Sequence, residues 1–172
     1  MCGICGYLAK DDFGEKEKLL NEMGESIVHR GPDDVGFFYE KPVGFCHRRL
    51  SILDLSNKGH QPMNYMDRYV LVFNGEIYNY LELRKELIKE GYSFETNTDT
   101  EVILAAYDFW GTECLKKFNG MWAFSLWDKK NKQLFCARDR FGVKPFYYHV
   151  NKQRFLFGSE IKALLCDKTK VR

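Results

Sequence analysis

Between residues 15 and 28, apolar side chains recur at Leu19, Leu20, Met23 and Ile27 with charged residues between them. That spacing places them on one face and predicts an amphipathic helix over Glu15–Val28. The apolar run Gly3–Ala9 before it predicts a short buried strand. His29-Arg30-Gly31-Pro32-Asp33-Asp34 then ends the helix, because Gly and Pro together favour a turn. Val35–Tyr39 and Val43–His47 predict strands around a turn at Glu40-Lys41-Pro42, and the stretch from Ser56 to Asp67 is polar and turn-rich. Tyr69–Phe73, dense in β-branched and aromatic residues, is the strongest strand signal in the chain. Asn79–Glu90 and Asp99–Trp110 predict helices. Beyond them, Met121–Trp127, Gln133–Arg138, Phe146–Val150 and Arg154–Gly158 predict strands, with hairpin loops at Asp128–Lys132 and Asn151–Gln153. A last helix is predicted over Ser159–Leu165, with Ser159 as its N-cap. Hairpin-linked strands with amphipathic helices imply antiparallel sheets with helices on their outer faces, an α+β layering. No linker, repeat or low-complexity tract divides the chain.

Composition sharpens this picture in a few places. The chain has 172 residues, 45% of them apolar and 16% aromatic, enough for a real core and incompatible with intrinsic disorder. Its 26 basic and 24 acidic residues leave a net charge of +2. No broad cationic face is expected, which argues against nucleic acid or a membrane surface as partner. Val102–Tyr107 and Met121–Trp127, the longest apolar stretches, fall far short of the roughly 18 residues a transmembrane helix needs. No basic segment precedes an apolar one at the start, so no secretory signal is read and a cytoplasmic location is expected. Cys2-Gly3-Ile4-Cys5 is formally C-x-x-C, but no second pair follows, and neither zinc nor redox chemistry is expected. The other cysteines, Cys46, Cys114, Cys136 and Cys166, suit buried thiols.

Cys2 has a second meaning. A Met followed by a small residue is the pattern from which initiator methionine is removed, leaving Cys2 with a thiol and a free α-amine on one Cα. An α-amine titrates near ~7.7–8.0, so it can take the thiol proton and return it. A nucleophile activated by its own terminal amine is an established device. Met-Cys alone is weak evidence, and other motifs give it weight. In order, the chain carries Met1-Cys2-Gly3-Ile4, His29-Arg30-Gly31-Pro32-Asp33, Arg49-Leu50-Ser51-Ile52, Gln61-Pro62-Met63, Asn74-Gly75-Glu76-Ile77-Tyr78-Asn79 and Thr98-Asp99-Thr100-Glu101-Val102. Asn119-Gly120-Met121-Trp122-Ala123-Phe124, Arg138-Asp139-Arg140-Phe141-Gly142-Val143-Lys144-Pro145 and Ser159-Glu160-Ile161-Lys162-Ala163-Leu164 follow. Together these resemble the glutaminase domain of the glutamine-dependent asparagine synthetases, a branch of the class II glutamine amidotransferases. The likeness runs from about residue 2 to residue 165.

The resemblance implies an N-terminal-nucleophile hydrolase fold over residues 2–172, four αββα layers with two stacked antiparallel sheets flanked by helices. It implies hydrolysis of L-glutamine to glutamate and ammonia, with Cys2 as nucleophile and the Asn74 side-chain amide and Gly75 N–H as oxyanion donors. The residues themselves agree: Asn74-Gly75 follows the strand Tyr69–Phe73, where backbone donors come free, and glycine allows close approach. An Asn-Gly hairpin turn is the plainer alternative. By the same resemblance Arg49 reads the glutamine α-carboxylate, for which its planar fork suits, and Glu76 and Asp99 read the α-ammonium. Leu50, Ser51, Ile52 and Leu53 add backbone contacts. Plainer readings make Arg49 a strand end and Asp99 the N-cap of its helix. Arg48 is the weaker arginine, and His29 and His47 are expected to be structural. Arg30 to Asp33 form a turn near the site. Arg138, Asp139 and Lys144 either face a partner domain, as in the family, or form a solvated loop. No metal or cofactor is expected in this domain; ATP and magnesium belong to a C-terminal synthetase domain of the same polypeptide, which the chain does not contain. A homodimer is left open. Two other functions stay open: an amidotransferase serving another carboxylate in surface-polysaccharide or natural-product assembly, and a glutamine-sensing module without turnover. Intact Cys2, Asn74 and Gly75 argue against the last.

Overall fold

In a computed structural model, residues 1–10, 15–51 and 57–168 are described. The elements in chain order are β1 (Gly3–Ala9), α1 (Lys16–Ser26), β2 (Asp34–Glu40), β3 (Val43–Arg49), β4 (Met63–Tyr65) and β5 (Tyr69–Ile77). They continue as α2 (Tyr80–Lys89), α3 (Asp99–Trp110), α4 (Cys114–Lys117), β6 (Gly120–Asp128), β7 (Gln133–Arg138), β8 (Tyr147–Val150), β9 (Arg154–Gly158) and α5 (Ile161–Leu165). One sheet has the order β2-β3-β1-β9-β8 and the other β4-β5-β6-β7. Every strand pair in both is antiparallel. No helix among the described residues is long and apolar enough to cross a membrane.

Side chains alternate across each strand, so each sheet has two faces to bury. Ile4, Val43, Phe45, Val70, Val72, Ala123, Trp127 and Phe157 pack between the sheets. On the outer face of the first sheet, Cys5, Tyr7, Cys46 and Leu156 meet Leu20 and Met23 of α1 and Leu164 of α5. On the outer face of the second, Leu71, Phe73, Phe124 and Leu126 meet Val102, Ile103 and Ala106 of α3 and Leu87 of α2. The result is helix, sheet, sheet, helix, the expected four-layer α+β arrangement.

Three local expectations are corrected. β5 does not stop at Phe73 but runs on to Ile77, with Asn74 opposite Ala123 and Gly75 opposite Trp122 of β6. Asn74-Gly75 is therefore neither a strand end nor a hairpin turn. Within the stretch read as turns, Met63–Tyr65 pairs as a short strand with Tyr69–Leu71. Ser159 is not a helix cap: α5 begins at Ile161 after Glu160, and Ser159 Oγ instead accepts the Ile4 N–H at 3.0 Å. That bond, with the Ser159 N–H to the Ile4 carbonyl at 2.8 Å, ties the end of β9 to the start of β1 beside Cys2.

Candidate active site

The start of β1, the end of β3, the middle of β5 and the first turn of α3 meet at a narrow cleft. Cys2, His47, Arg49, Leu50, Gly75, Glu76 and Asp99 line it, together with Gln61, Phe73, Thr98 and Thr100. A much wider groove, about 860 Å³, lies between α1 and the β2–β3 turn, where Glu15, Lys18, Glu22 and Glu40 line it without a cysteine or histidine. Chemistry rather than size therefore singles out the narrow cleft. Among the described residues, no group of three or more His, Cys, Asp or Glu side chains is placed to hold a metal ion.

Cys2 is held from two sides. Its Sγ receives the Leu50 N–H at 3.4 Å and lies 3.5 Å from the Leu50 carbonyl. Arg30 Nε donates to the Cys2 carbonyl at 3.0 Å while Arg30 Nη1 pairs with Glu160 at 3.0 Å. The segment from Arg30 to Asp33 thus runs beside Cys2. Gly31 lets it approach β3: a Cβ there would lie 2.3 Å from the Arg48 backbone. Asp33 accepts the Ser51 N–H at 2.8 Å, and Ser51 does not line the cleft. Ile52 and Leu53 lie outside the described residues.

Strand alternation separates the two neighbouring arginines. Arg49 shares a face with Phe45 and His47 and reaches the cleft. Arg48 points the other way, where its guanidinium meets Glu25 and the Gly24 carbonyl of α1. His29 sits outside the cleft, bonded to Glu160 at 2.8 Å. His47 is fully buried, and desolvation pushes its pKa down to about 3. A neutral ring must donate from Nε2 to satisfy the Phe73 carbonyl 3.2 Å away, which fixes its tautomer.

Asn74 is almost fully buried, and its Nδ2 has no hydrogen-bond partner among the described residues. An unpaired buried donor costs about 1–3 kcal/mol. Asp99 is not the helix cap. Thr98 is, receiving the Glu101 N–H on its hydroxyl, while Asp99 Oδ2 accepts the Ile77 N–H at 2.9 Å. Burial, reinforced by the Glu76 charge, raises the Asp99 pKa to about 6.

Three cleft residues, and one charged neighbour of Cys2, escape a reading by motif alone. His47 and Gln61 lie inside quoted or strand-like segments but look like ordinary polar positions. Thr100 is part of the helix-start motif and receives the Gln61 Nε2 at 3.3 Å. Lys144, read as facing a partner or as solvated, is buried. Burial and the Arg30 charge hold its ammonium below the usual lysine range, with Cys2 and Glu76 among its electrostatic neighbours. Asp139 puts it there: its carboxylate accepts the backbone N–H groups of Phe141, Val143 and Lys144 and folds the segment inward.

A family model described as a glutamine amidotransferase domain matches residues 1–172. The chain is 48% identical to a putative glutamine-hydrolysing asparagine synthetase 2 of Methanocaldococcus jannaschii, over 98% of this chain and 36% of that protein. It is 47% identical to the glutamine-hydrolysing asparagine synthetase 1 of Bacillus subtilis, over 96% of this chain and 27% of that protein. Amidase chry2 of Gibberella zeae is 36% identical over 96% of this chain and 26% of its own length. The chain thus spans about a third or less of these relatives. Among solved structures, the glutamine phosphoribosylpyrophosphate amidotransferase of B. subtilis superposes with a TM-score of 0.77 at 18% identity, covering 96% of this chain and 43% of that one. At that identity the likeness establishes the shared fold.

Proposed function

The chain belongs to the glutamine amidotransferase domain family, in the group of the glutamine-hydrolysing asparagine synthetases, and given that membership we propose that it hydrolyses L-glutamine with Cys2 as nucleophile. Removal of Met1 frees the Cys2 α-amine. The amine accepts the thiol proton, Sγ attacks the side-chain amide carbon, and the proton passes to the departing ammonia. Water then cleaves the thioester to give glutamate. The negative oxygen formed in both steps is met by the Gly75 N–H and Asn74 Nδ2. Arg49 grips the α-carboxylate through two parallel donors, Leu50 frames it with backbone, and Asp99 and Glu76 neutralise the α-ammonium.

One observation carries this reading. Residues 2, 49, 75, 76 and 99, distant in sequence, converge on one cleft, and next to Gly75 the Asn74 side chain carries a buried donor without a partner among the described residues. The ammonia serves a synthetase domain in the rest of the polypeptide, where ATP and magnesium would activate a carboxylate acceptor. Aspartate is the acceptor we favour, because the relatives are asparagine synthetases.

Cys2→Ala tests the assignment. Glutamate release should fall at least about 10³-fold with an unchanged melting temperature. Release at the wild-type rate would move the nucleophile elsewhere. Mass spectrometry of active protein should show Met1 missing, since a retained Met1 turns the amine into an amide.

A further inference from the structure

The odd-numbered N–H groups of β5 point away from β6, because the two strands exchange hydrogen bonds at the even positions. Evidence for this parity is that the Phe73 and Ile77 N–H groups bond to side chains outside the β6 ladder. On that far edge β4 pairs with Tyr69 and Leu71 and then ends. Extending its register, in which Met63 faces Leu71, would put Gln61 opposite Phe73. The ladder ends before that pair forms, and the Gln61 side chain does what a strand carbonyl would have done: its Oε1 accepts the Phe73 N–H at 2.7 Å. His47 Nε2 donates to the Phe73 carbonyl in place of a strand N–H. Four residues further on, Asp99 Oδ2 takes the Ile77 N–H. Gly75 lies between these two substitutes, and no described group takes its N–H.

We propose that Gln61 is a positioning residue for the amide-cleaving step: its side-chain amide replaces the missing strand at Phe73, so that the Gly75 N–H is held rigidly at the cleft. Its Nε2 meets Thr100, the residue after Asp99, so the same amide also fixes β5 against the start of α3. Gln61 is buried and touches the strand rather than the reacting atoms. The inference rests on the glutaminase reading above, because only a reaction that builds a negative oxygen needs that N–H aimed in advance.

Hydrolysis and alkylation of the same thiol separate aiming from folding. Iodoacetamide reacts with Cys2 at a saturated carbon and forms no oxyanion, so its rate reports thiol reactivity and access alone. In the purified protein with Met1 removed, Gln61→Met should lower kcat for glutamate release about 10–100-fold, leaving KM within about threefold. Cys2 alkylation, followed by peptide mass mapping, should stay within about twofold of wild type. Gln61→Glu retains an acceptor for Phe73 and should hold kcat within about fivefold. If Gln61→Met does not fold, Gln61→Asn, too short by one methylene to reach Phe73, replaces it with the same expectation. A kcat within threefold of wild type, or a parallel fall in hydrolysis and alkylation, overturns the inference and leaves the glutaminase reading intact. A wild-type protein that is alkylated at Cys2 but releases no glutamate overturns both.

Discussion

A carboxylate buried without a cation is an expense that Asp99 carries visibly. Its folded pKa of about 6 lies above the ordinary value of 3.8, so between those limits the folded chain binds more protons than the unfolded one. Stability therefore falls as pH rises through that window, and above it the whole penalty of about 3 kcal/mol is present. Asp99→Asn keeps an oxygen for the Ile77 N–H and removes the charge. Urea unfolding should show it more stable than wild type by about 1–3 kcal/mol at pH 7.5, with the gain gone by pH 4. If Asp99 neutralises the substrate ammonium, the same variant should raise the glutamine KM at least about tenfold. The wild-type KM should then climb as pH drops below about 6. A gain in stability with an unaltered KM would leave Asp99 as a brace for Ile77 only.

β5 shows how an element can be read correctly in kind and wrongly in extent. The β-branched and aromatic run Tyr69–Phe73 announces a strand, but Asn74, Gly75 and Glu76 have poor strand propensity and predict its end. Pairing with β6 overrides that preference and carries the strand to Ile77. The donors come free because the neighbour on the other edge stops, a fact that resides in β4 and not in β5. Gly75 meets a further demand of this packing: a Cβ would lie 2.3 Å from the Met121 carbonyl oxygen and 2.7 Å from the Trp122 Cα. Both are backbone atoms of β6 and cannot step aside like a side chain. Gly75→Ala should cost about 2–4 kcal/mol in a denaturant melt and reduce glutamate release more than about 100-fold. Wild-type turnover in a folded Gly75→Ala protein would show that the strand position is tolerant and the N–H is not in use.

At the scale of the molecule, the two sheets hold the cleft together through the aromatic layer between them. Phe157 of β9 is fully buried, stacked on Phe146 at 5.5 Å and edge-on to Phe45 at 5.7 Å. It also presses on β1 at Gly6, where a Cβ would fall 2.6 Å from its ring. Phe157→Ala should destabilise by about 3–5 kcal/mol in urea unfolding, since the flanking strands cannot close over the space. A loss under about 1 kcal/mol would mean the layer is plastic and does not set the spacing of the sheets. The same layer brings β1 and β3 of one sheet onto β5 of the other. Cys2, just before β1, and Gly75, on the other sheet, line the same cleft because of it.

Periodicity and composition by themselves determined the layered α+β class and most element positions, because burial patterns are local in the chain. Motif order identified the family and proposed Cys2, Arg49, Asn74, Gly75 and Asp99 together, since such chemistry needs particular residue types. What only the tertiary structure decided was which donors are free. For Arg49, which motif order already favours over Arg48, the structure adds only the reason: alternate residues of β3 face opposite layers. Thr98 rather than Asp99 caps α3, and Asp99 is released to hold Ile77. Gln61 and His47 join the cleft because β4 ends early and His47 is walled in, and Lys144 comes near Cys2 because the Asp139 turn folds inward. Hydrogen bonds are satisfied or left open by partners far away in sequence, and no local pattern records where those partners stop.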